Sequence, residues 1–244
     1  MKKDLKDIYK KHLAGTETWS DGRVMPVAGE KVRKNMLRGD TWASLCTQEW
    51  QEIQNVWKTR PENIWIWSDL HIGHHNIIKY CDRPFFGVSN MNSSLLDNAS
   101  NVPDSPDTWL LFLGDIGMWR HDAESIAEFV QLCPGRKALI LGNHDFQGEG
   151  HPKSFQEWQD TGFDAVASSF VLESILDKEE LWMTHYPLHQ EFIPPKVLNV
   201  HGHTHNRILE GPYLNVCVEN QDYAPKRLLD RLESPHVPRG SAGG

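Results

Sequence analysis

The chain has 244 residues, 39% of them hydrophobic and 24% charged, close to globular averages, so wholesale disorder is excluded and one domain with an appendage is expected. Lysine and arginine number 25 against 33 acidic residues, a formal net charge of -8, which disfavours a broad basic surface for nucleic acid while leaving room for a local groove. No run approaches the roughly 18 apolar residues of a membrane span, and the N-terminus starts basic without the apolar block of a signal peptide.

Residues 1–62 read as an N-terminal helical extension. Leu5, Ile8, Tyr9 and Leu13 have helical spacing. A Gly-, Pro- and charge-rich stretch follows from about residue 15 to residue 39. Asp40 or Thr41 then offers a cap for a second helix with Trp42, Leu45, Cys46, Ile53, Val56 and Trp57 on one apolar face, stopped by Pro61. The pattern changes at residue 63, and residues 63–233 read as the main domain. Short apolar runs at 64–67, 109–113, 138–141, 181–184, 197–200 and 214–218 alternate with helical stretches at 75–80, 93–100, 123–132 and 154–161. That alternation predicts a sheet with helices packed on its faces. Trp65, Trp67, Trp109 and Trp182 lie in strands and are assigned to the core, with Trp42, Trp50 and Trp57 docking the second helix, in preference to base stacking. Residues 234–244 contain Val-Pro-Arg-Gly-Ser, the form of an engineered protease-site remnant, and are set aside as a flexible tail. Cys46, Cys81, Cys133 and Cys217 are scattered, with no C-x-x-C. A disulfide framework or thiolate zinc knot is therefore a poor reading, and a reducing cytoplasm the better one.

The polar residues at the strand ends carry the chemistry. Run 64–67 leads into Ser68-Asp69-Leu70-His71, and run 109–113 into Gly114-Asp115. Run 138–141 leads into Gly142-Asn143-His144-Asp145, run 181–184 into His185, and run 197–200 into His201-Gly202-His203-Thr204-His205. In open α/β sheets the carboxyl ends of strands line one crevice, so these residues converge. Glycines before Asp115, Asn143 and His203 permit tight turns and close backbone approach. Imidazole, carboxylate and amide oxygen together suit manganese, iron, zinc or nickel better than calcium or magnesium. Two ions fit the donor count, with Asp115 the natural bridge. A chance G-H-x-H has odds of about 0.05 in this composition and a chance G-N-H-D about 0.004; all the motifs, in order and at strand ends, are not coincidence.

The order D-x-H, G-D, G-N-H-D, H, G-H-x-H over roughly residues 63–220 resembles the calcineurin-like metallophosphoesterases. The wider stretch Ser-Asp-Leu-His-Ile-Gly-His-His-Asn-Ile-Ile-Lys-Tyr, with Arg-Pro-Phe soon after, is similar to small bacterial and phage members. The resemblance implies an α/β fold, a two-sheet β-sandwich flanked by helices in four layers, with a dinuclear site at one edge. It implies that Asp69, His71 and His205 hold one ion, that Asn143, His185 and His203 hold the other, and that Asp115 bridges. His144 is implied to face the phosphate and assist the leaving group, with Asp145 behind it in support. The implied reaction is hydrolysis of a phosphodiester, with monoesters second, by a hydroxide held between two divalent ions, manganese first and iron, nickel or zinc as alternatives. The segment around His185 lacks the glycine that often precedes this histidine in the family.

Beyond the metal set, His74, Asn76 and Arg83 are candidate substrate contacts, against helix entry, local capping and a solvated arginine as the plain readings. His201 reads as a structural strand-end residue. The partner expected is a phosphate ester such as a nucleotide, with no membrane, nucleic acid less favoured, and nothing in the sequence to assign an oligomeric state. A small nuclease and a non-catalytic metal-binding scaffold are the competing functions. Neither G-x-S-x-G nor G-x-x-x-x-G-K-[ST] occurs, which removes serine-hydrolase and P-loop chemistry.

Overall fold

The computed structural model describes residues 46–146, 152, 154–173, 175 and 179–233, apart from the side chains at 120–122 and 146, and the backbone of 15–18 and 24–27. Strands β1 (Gly15–Thr18) and β2 (Val24–Val27) pair antiparallel, where the composition suggested only a Gly- and Pro-rich stretch. The expected helix around Leu5 to Leu13, and Asp40, Thr41, Trp42 and Leu45, lie outside the described residues.

Helix α1 (Thr47–Thr59) buries Trp50, Ile53, Val56 and Trp57, one stripe at helical spacing. Pro61 opens a short 3-10 turn, Pro61–Asn63, that feeds directly into the strand at Ile64–Trp67. The main sheet has the order β11-β3-β4-β5-β6. In it β3 (Ile64–Trp67), β4 (Trp109–Phe112), β5 (Arg136–Ile140) and β6 (Ala165–Ala167) run parallel, and β11 (Lys226–Arg227) is antiparallel to β3. The second sheet has the order β10-β9-β8-β7. There β8 (Glu180–Thr184), β9 (Val197–His201) and β10 (Tyr213–Asn215) are parallel, and β7 (Ser169–Leu172) is antiparallel to β8.

Strand alternation assigns the two faces of the main sheet. Ile64, Ile66, Leu111, Ala138 and Ile140 meet Leu181, Met183, Leu198 and Val200 of the second sheet. The residues between them, Trp67, Leu110, Phe112 and Leu139, pack on the helical layer through Met91, Leu95, Ile126, Phe129 and Trp158. That layer is α3 (Val88–Ala99), α4 (Trp119–Leu132) and α5 (Phe155–Asp160). The buried face of α1 joins the inter-sheet cluster beside Ala165, Ala167 and Leu172. The outer face of the second sheet carries a smaller cluster of Trp182, Tyr186, Leu188 and Val197. This is the expected two-sheet sandwich with flanking helices.

Differences from the sequence reading lie at weak signals. Helix α3 begins at Val88 and α4 at Trp119, each earlier than its apolar periodicity indicated, because Met91 and Trp119 are anchored in the core. The short strands β6, β7 and β11, and helix α6 (Leu228–Glu233), were not legible. Alanine-rich and two-residue strands carry little β signal and depend on neighbours for pairing. Helix α5 starts where expected, since the Ser154 side chain accepts from the Glu157 N–H at 3.2 Å, the cap that the S-x-x-E spacing favours.

Register delivers the site. Trp67 lies opposite Phe112 and Phe112 opposite Leu139, so β3, β4 and β5 end level with one another. Thr184 lies opposite His201 in the second sheet. The loops that leave these ends are laced together: Asp69 N–H donates to the Gly114 carbonyl, His71 N–H to that of Asp115, and Gly202 N–H to that of His185.

Candidate metal centre

Both carboxylates at these strand ends divide their oxygens between structure and site. Asp69 Oδ2 accepts from Ser68 Oγ at 2.7 Å, from the His203 N–H at 2.8 Å and from Cys217 Sγ at 3.2 Å. Asp69 Oδ1 is buried with no hydrogen-bond partner, and so is His71 Nε2. Asp115 Oδ1 accepts from the His144 N–H at 2.8 Å. Asp115 Oδ2 faces His185 Nε2 at 3.4 Å and His71 Nε2 at 3.7 Å.

The imidazoles are held by their far nitrogens, which leaves the near ones as lone-pair donors. His185 Nδ1 donates to the Leu113 carbonyl at 2.7 Å, and its Nε2 lies 3.1 Å from Asn143 Oδ1. His205 Nδ1 donates to Glu219 Oε1 at 3.1 Å, with Nε2 3.8 Å from Asp69 Oδ1. Among the described residues the donor atoms gather in four sets: Asp69, His71 and His205; Asp115, His185 and His203; His71, Asp115 and His144; and Cys81, His205 and Glu219. The first two share no residue and are the two donor groups of the site. A buried carboxylate oxygen and a buried imidazole nitrogen without partners cost several kcal/mol unless something satisfies them. A divalent cation does so with donors of this type, so the residues fit the metal centre expected from the sequence.

Backbone conformation records the same demand. Asp69, His71, Asp115, His203 and His205 all have left-handed φ, between 51° and 65°. Non-glycine residues are uncommon there, and strain of about 1–3 kcal/mol per site persists only where the surroundings enforce it. Two motif glycines are explained by contact. A Cβ on Gly142 would stand 2.3 Å from Asp115 Oδ1, and one on Gly202 would stand 2.4 Å from Asp69 Oδ2.

Without metal, the charges compensate one another. Burial works against an imidazolium at His185, yet the Asp115 and Asp69 carboxylates hold it up to about 9. Burial likewise works to raise Asp115, and the surrounding imidazoles hold it well below the usual carboxylate range. Burial pushes His71 well below the ordinary imidazole value, and burial with the charge on His185 pushes His203 down to about 3. Burial also works against an imidazolium at His205, yet Cys81, Glu219 and Asp69 hold it up to about 11. The site therefore mixes neutral donors with two trapped protons, on His185 and His205, that a cation would displace.

Of the remaining expected residues, His144 sits at the opening, its side chain 23% exposed and Nε2 4.0 Å from Asp115 Oδ2. Asp145 was expected behind the His144 ring. Its carboxylate accepts backbone N–H groups, from Gly142 at 2.7 Å, Asp115 at 2.9 Å and Ile116 at 3.1 Å, with Trp119 Nε1 at 3.4 Å. It ties two metal-site loops together. His74 is half-buried, with Nδ1 3.3 Å from His71 Nδ1. Asn76 is exposed on the first turn of α2 (His75–Tyr80).

Arg83, the third candidate substrate contact, is turned inward. It is 4% exposed and donates to Glu219 Oε1, the Leu70 carbonyl and the Asp69 carbonyl at 2.7–2.9 Å. A guanidinium with its donors so spent clamps the Asp69 loop and orients Glu219, which orients His205. Glu219 was missed, since a carboxylate 14 residues beyond His205 has no motif spacing to mark it. Burial opposes its charge, but His205 and Arg83 hold Glu219 down to about 2. Ser68, adjacent to Asp69, was legible only as part of the strand-end motif. His201 is fully buried, its Nδ1 donating to the Gly202 carbonyl at 2.8 Å, a structural residue.

A sandwich whose aligned strand ends bring together several histidine–carboxylate donor groups is the framework of a metal-dependent hydrolase. The sequence model of the calcineurin-like phosphoesterases matches residues 62–235. An uncharacterized protein of Methanocaldococcus jannaschii is 32% identical over 173 residues, spanning 68% of this chain and 86% of that protein. The Gene 66 protein of Mycobacterium phage D29 is 30% identical over 178 residues, 63% of this chain and 83% of the phage protein. The crystal structure of a protein of unknown function from Aquifex aeolicus superposes with a TM-score of 0.52 at 26% identity, covering 69% of this chain and 98% of that one. The chain belongs to the calcineurin-like phosphoesterase family, whose members are metal-dependent hydrolases of phosphoesters. No helix among the described residues is long and apolar enough to cross a membrane.

Proposed function

We propose that the protein is a dinuclear phosphodiesterase, with monoesters as poorer substrates, working with manganese in the cytoplasm. Asp69, His71 and His205 would hold one ion, Asn143, His185 and His203 the other, and Asp115 would contact both. The observation that carries this reading is the position of Asp115 Oδ2, within 3.4 Å of His185 Nε2 and 3.7 Å of His71 Nε2, one from each donor group. Imidazole mixed with carboxylate and amide oxygen favours manganese or iron over harder ions. When bound, the ions polarise the phosphoryl oxygens and activate water for attack.

The chain's own residues do the rest. His144 is anchored through its backbone N–H to Asp115 Oδ1, while its ring remains partly exposed at the opening. It is placed to hand a proton, or a charged hydrogen bond, to the leaving oxygen. Asp145 keeps the Asp115 and Gly142 loops in contact, and Arg83 with Glu219 fixes the tautomer of His205.

Metal analysis of manganese-reconstituted protein, with hydrolysis of bis(p-nitrophenyl) phosphate, tests the reading. Two ions per chain and manganese-dependent turnover are expected. Asp115→Asn should lower both together, and His144→Ala should keep the ions and lose turnover. Uptake of one ion or none would refute the dinuclear centre, and full turnover by His144→Ala would remove its role.

A further inference from the structure

We propose that Tyr80 is a substrate-specificity residue that receives the planar aromatic group of the phosphoester, a nucleobase being the natural example. This rests on the phosphoesterase reading of the same site. Tyr80 closes α2 and is 73% exposed, a large apolar surface left in water at the rim of a polar cleft. Its ring stands edge-to-face to His74, centroids 6.4 Å apart at 80°. His74 in turn lies 5.2 Å from the His71 ring and 5.9 Å from the His144 ring. The sequence of rings therefore runs from the metal donors, through the leaving-group side, out to an open aromatic surface.

Three physical points favour an aromatic substrate group there. A tyrosine platform has only two side-chain torsions, so ordering it costs little entropy. An aromatic surface attracts another planar ring by stacking or edge contact without reading its hydrogen bonds. His74 flanks the Tyr80 ring on the metal side, edge-to-face to it and 5.2 Å from the His71 ring, so a planar group on Tyr80 meets a second aromatic surface towards the metal donors. The expected preference is for a planar aromatic substituent of any base identity.

The test compares wild type with Tyr80→Ala, Tyr80→Trp and Leu132→Ala. Leu132 is an exposed control at the far end of α4, 59% exposed and roughly 20 Å of helix from the site at 1.5 Å per residue. Adenosine 5′-monophosphate and inorganic phosphate are titrated calorimetrically into manganese-loaded protein, and turnover is measured on bis(p-nitrophenyl) phosphate and on glycerophosphoethanolamine. Tyr80→Ala should raise the Kd for the nucleotide and the KM for the aryl diester about tenfold, within the range of ring stacking. Binding of phosphate, kcat, and the constants for the glyceryl diester should stay within about twofold. Tyr80→Trp should retain aromatic preference, and Leu132→Ala should match wild type. Equal loss on aromatic and glyceryl substrates, or no loss on either, overturns the proposal while turnover by wild type leaves the phosphoesterase reading standing. Wild type that binds the nucleotide through Tyr80 yet hydrolyses nothing would leave the aromatic site standing and remove the phosphoesterase reading.

Discussion

Asp145→Asn tests the tie between the two central loops. The substitution keeps shape and volume and exchanges one carboxylate oxygen for an NH2 group. Oδ2 now accepts from Gly142 and Asp115 N–H at 2.7 and 2.9 Å, and Oδ1 from Ile116 N–H at 3.1 Å and Trp119 Nε1 at 3.4 Å. Whichever way the amide turns, a pair of buried N–H donors faces another donor. Each buried donor left without an acceptor costs about 1–3 kcal/mol, so the pair costs about 2–6 kcal/mol. In a domain of this size each kcal/mol moves the midpoint by roughly 2–4 °C, which gives a fall of about 4–24 °C. Relief would come from separating the loops, which carry Asp115 and Asn143, so manganese occupancy should fall in parallel. Differential scanning calorimetry with and without manganese, and metal analysis after gel filtration, read both effects. A variant melting within about 2 °C of wild type with full metal content refutes the tie. Loss of turnover in such a variant would instead return Asp145 to the supporting role behind His144 that the motif suggested.

Glu219→Gln removes the charged acceptor for His205 Nδ1 and should weaken metal binding about 10–100-fold, read by competition with a fluorescent chelator; unchanged affinity would rule out the Glu219–His205 contact as a metal-tuning interaction. Arg83→Met removes the charged fork that spans Glu219 and two loop carbonyls, and should destabilise by about 3–5 kcal/mol as a broken buried pair; a raised KM without a lower melting midpoint would favour Arg83 as a phosphate ligand. Trp57→Ala empties a fully buried site in α1 whose indole donates to the Glu173 carbonyl, and should cost about 3–5 kcal/mol in denaturant unfolding; a neutral result would mean that α1 is dispensable to the core. Stripping manganese with a chelator should lower the melting midpoint, since an ion at a thousandfold excess over its Kd contributes about 4 kcal/mol of linkage; identical melting of the two forms would argue that no ion binds the native state.

The legible part of the chain was whatever local chemistry repeats along it. β3 and α2 fall within their apolar runs because strand and helix periods differ. The donor residues were legible because a metal needs specific atoms, and those atoms occupy short motifs at strand ends. The glycines were legible for a related reason: beside Asp115 and Asp69 there is no room for a Cβ. The hairpin, β6 and β7 were not legible, since their short segments lack an unbroken apolar run as long as those of β3 and β4 and exist by pairing with partners elsewhere.

Only the tertiary structure decided what Arg83, Asp145 and Glu219 touch. Arg83 follows the first motif and invited a phosphate role, but the fold brings Glu219, 136 positions away, against its guanidinium. Asp145 follows His144 and yet serves the backbone of residues 115, 116 and 142. A ligand's identity is written in its own side chain, whereas a supporting residue is defined by what long-range packing sets beside it.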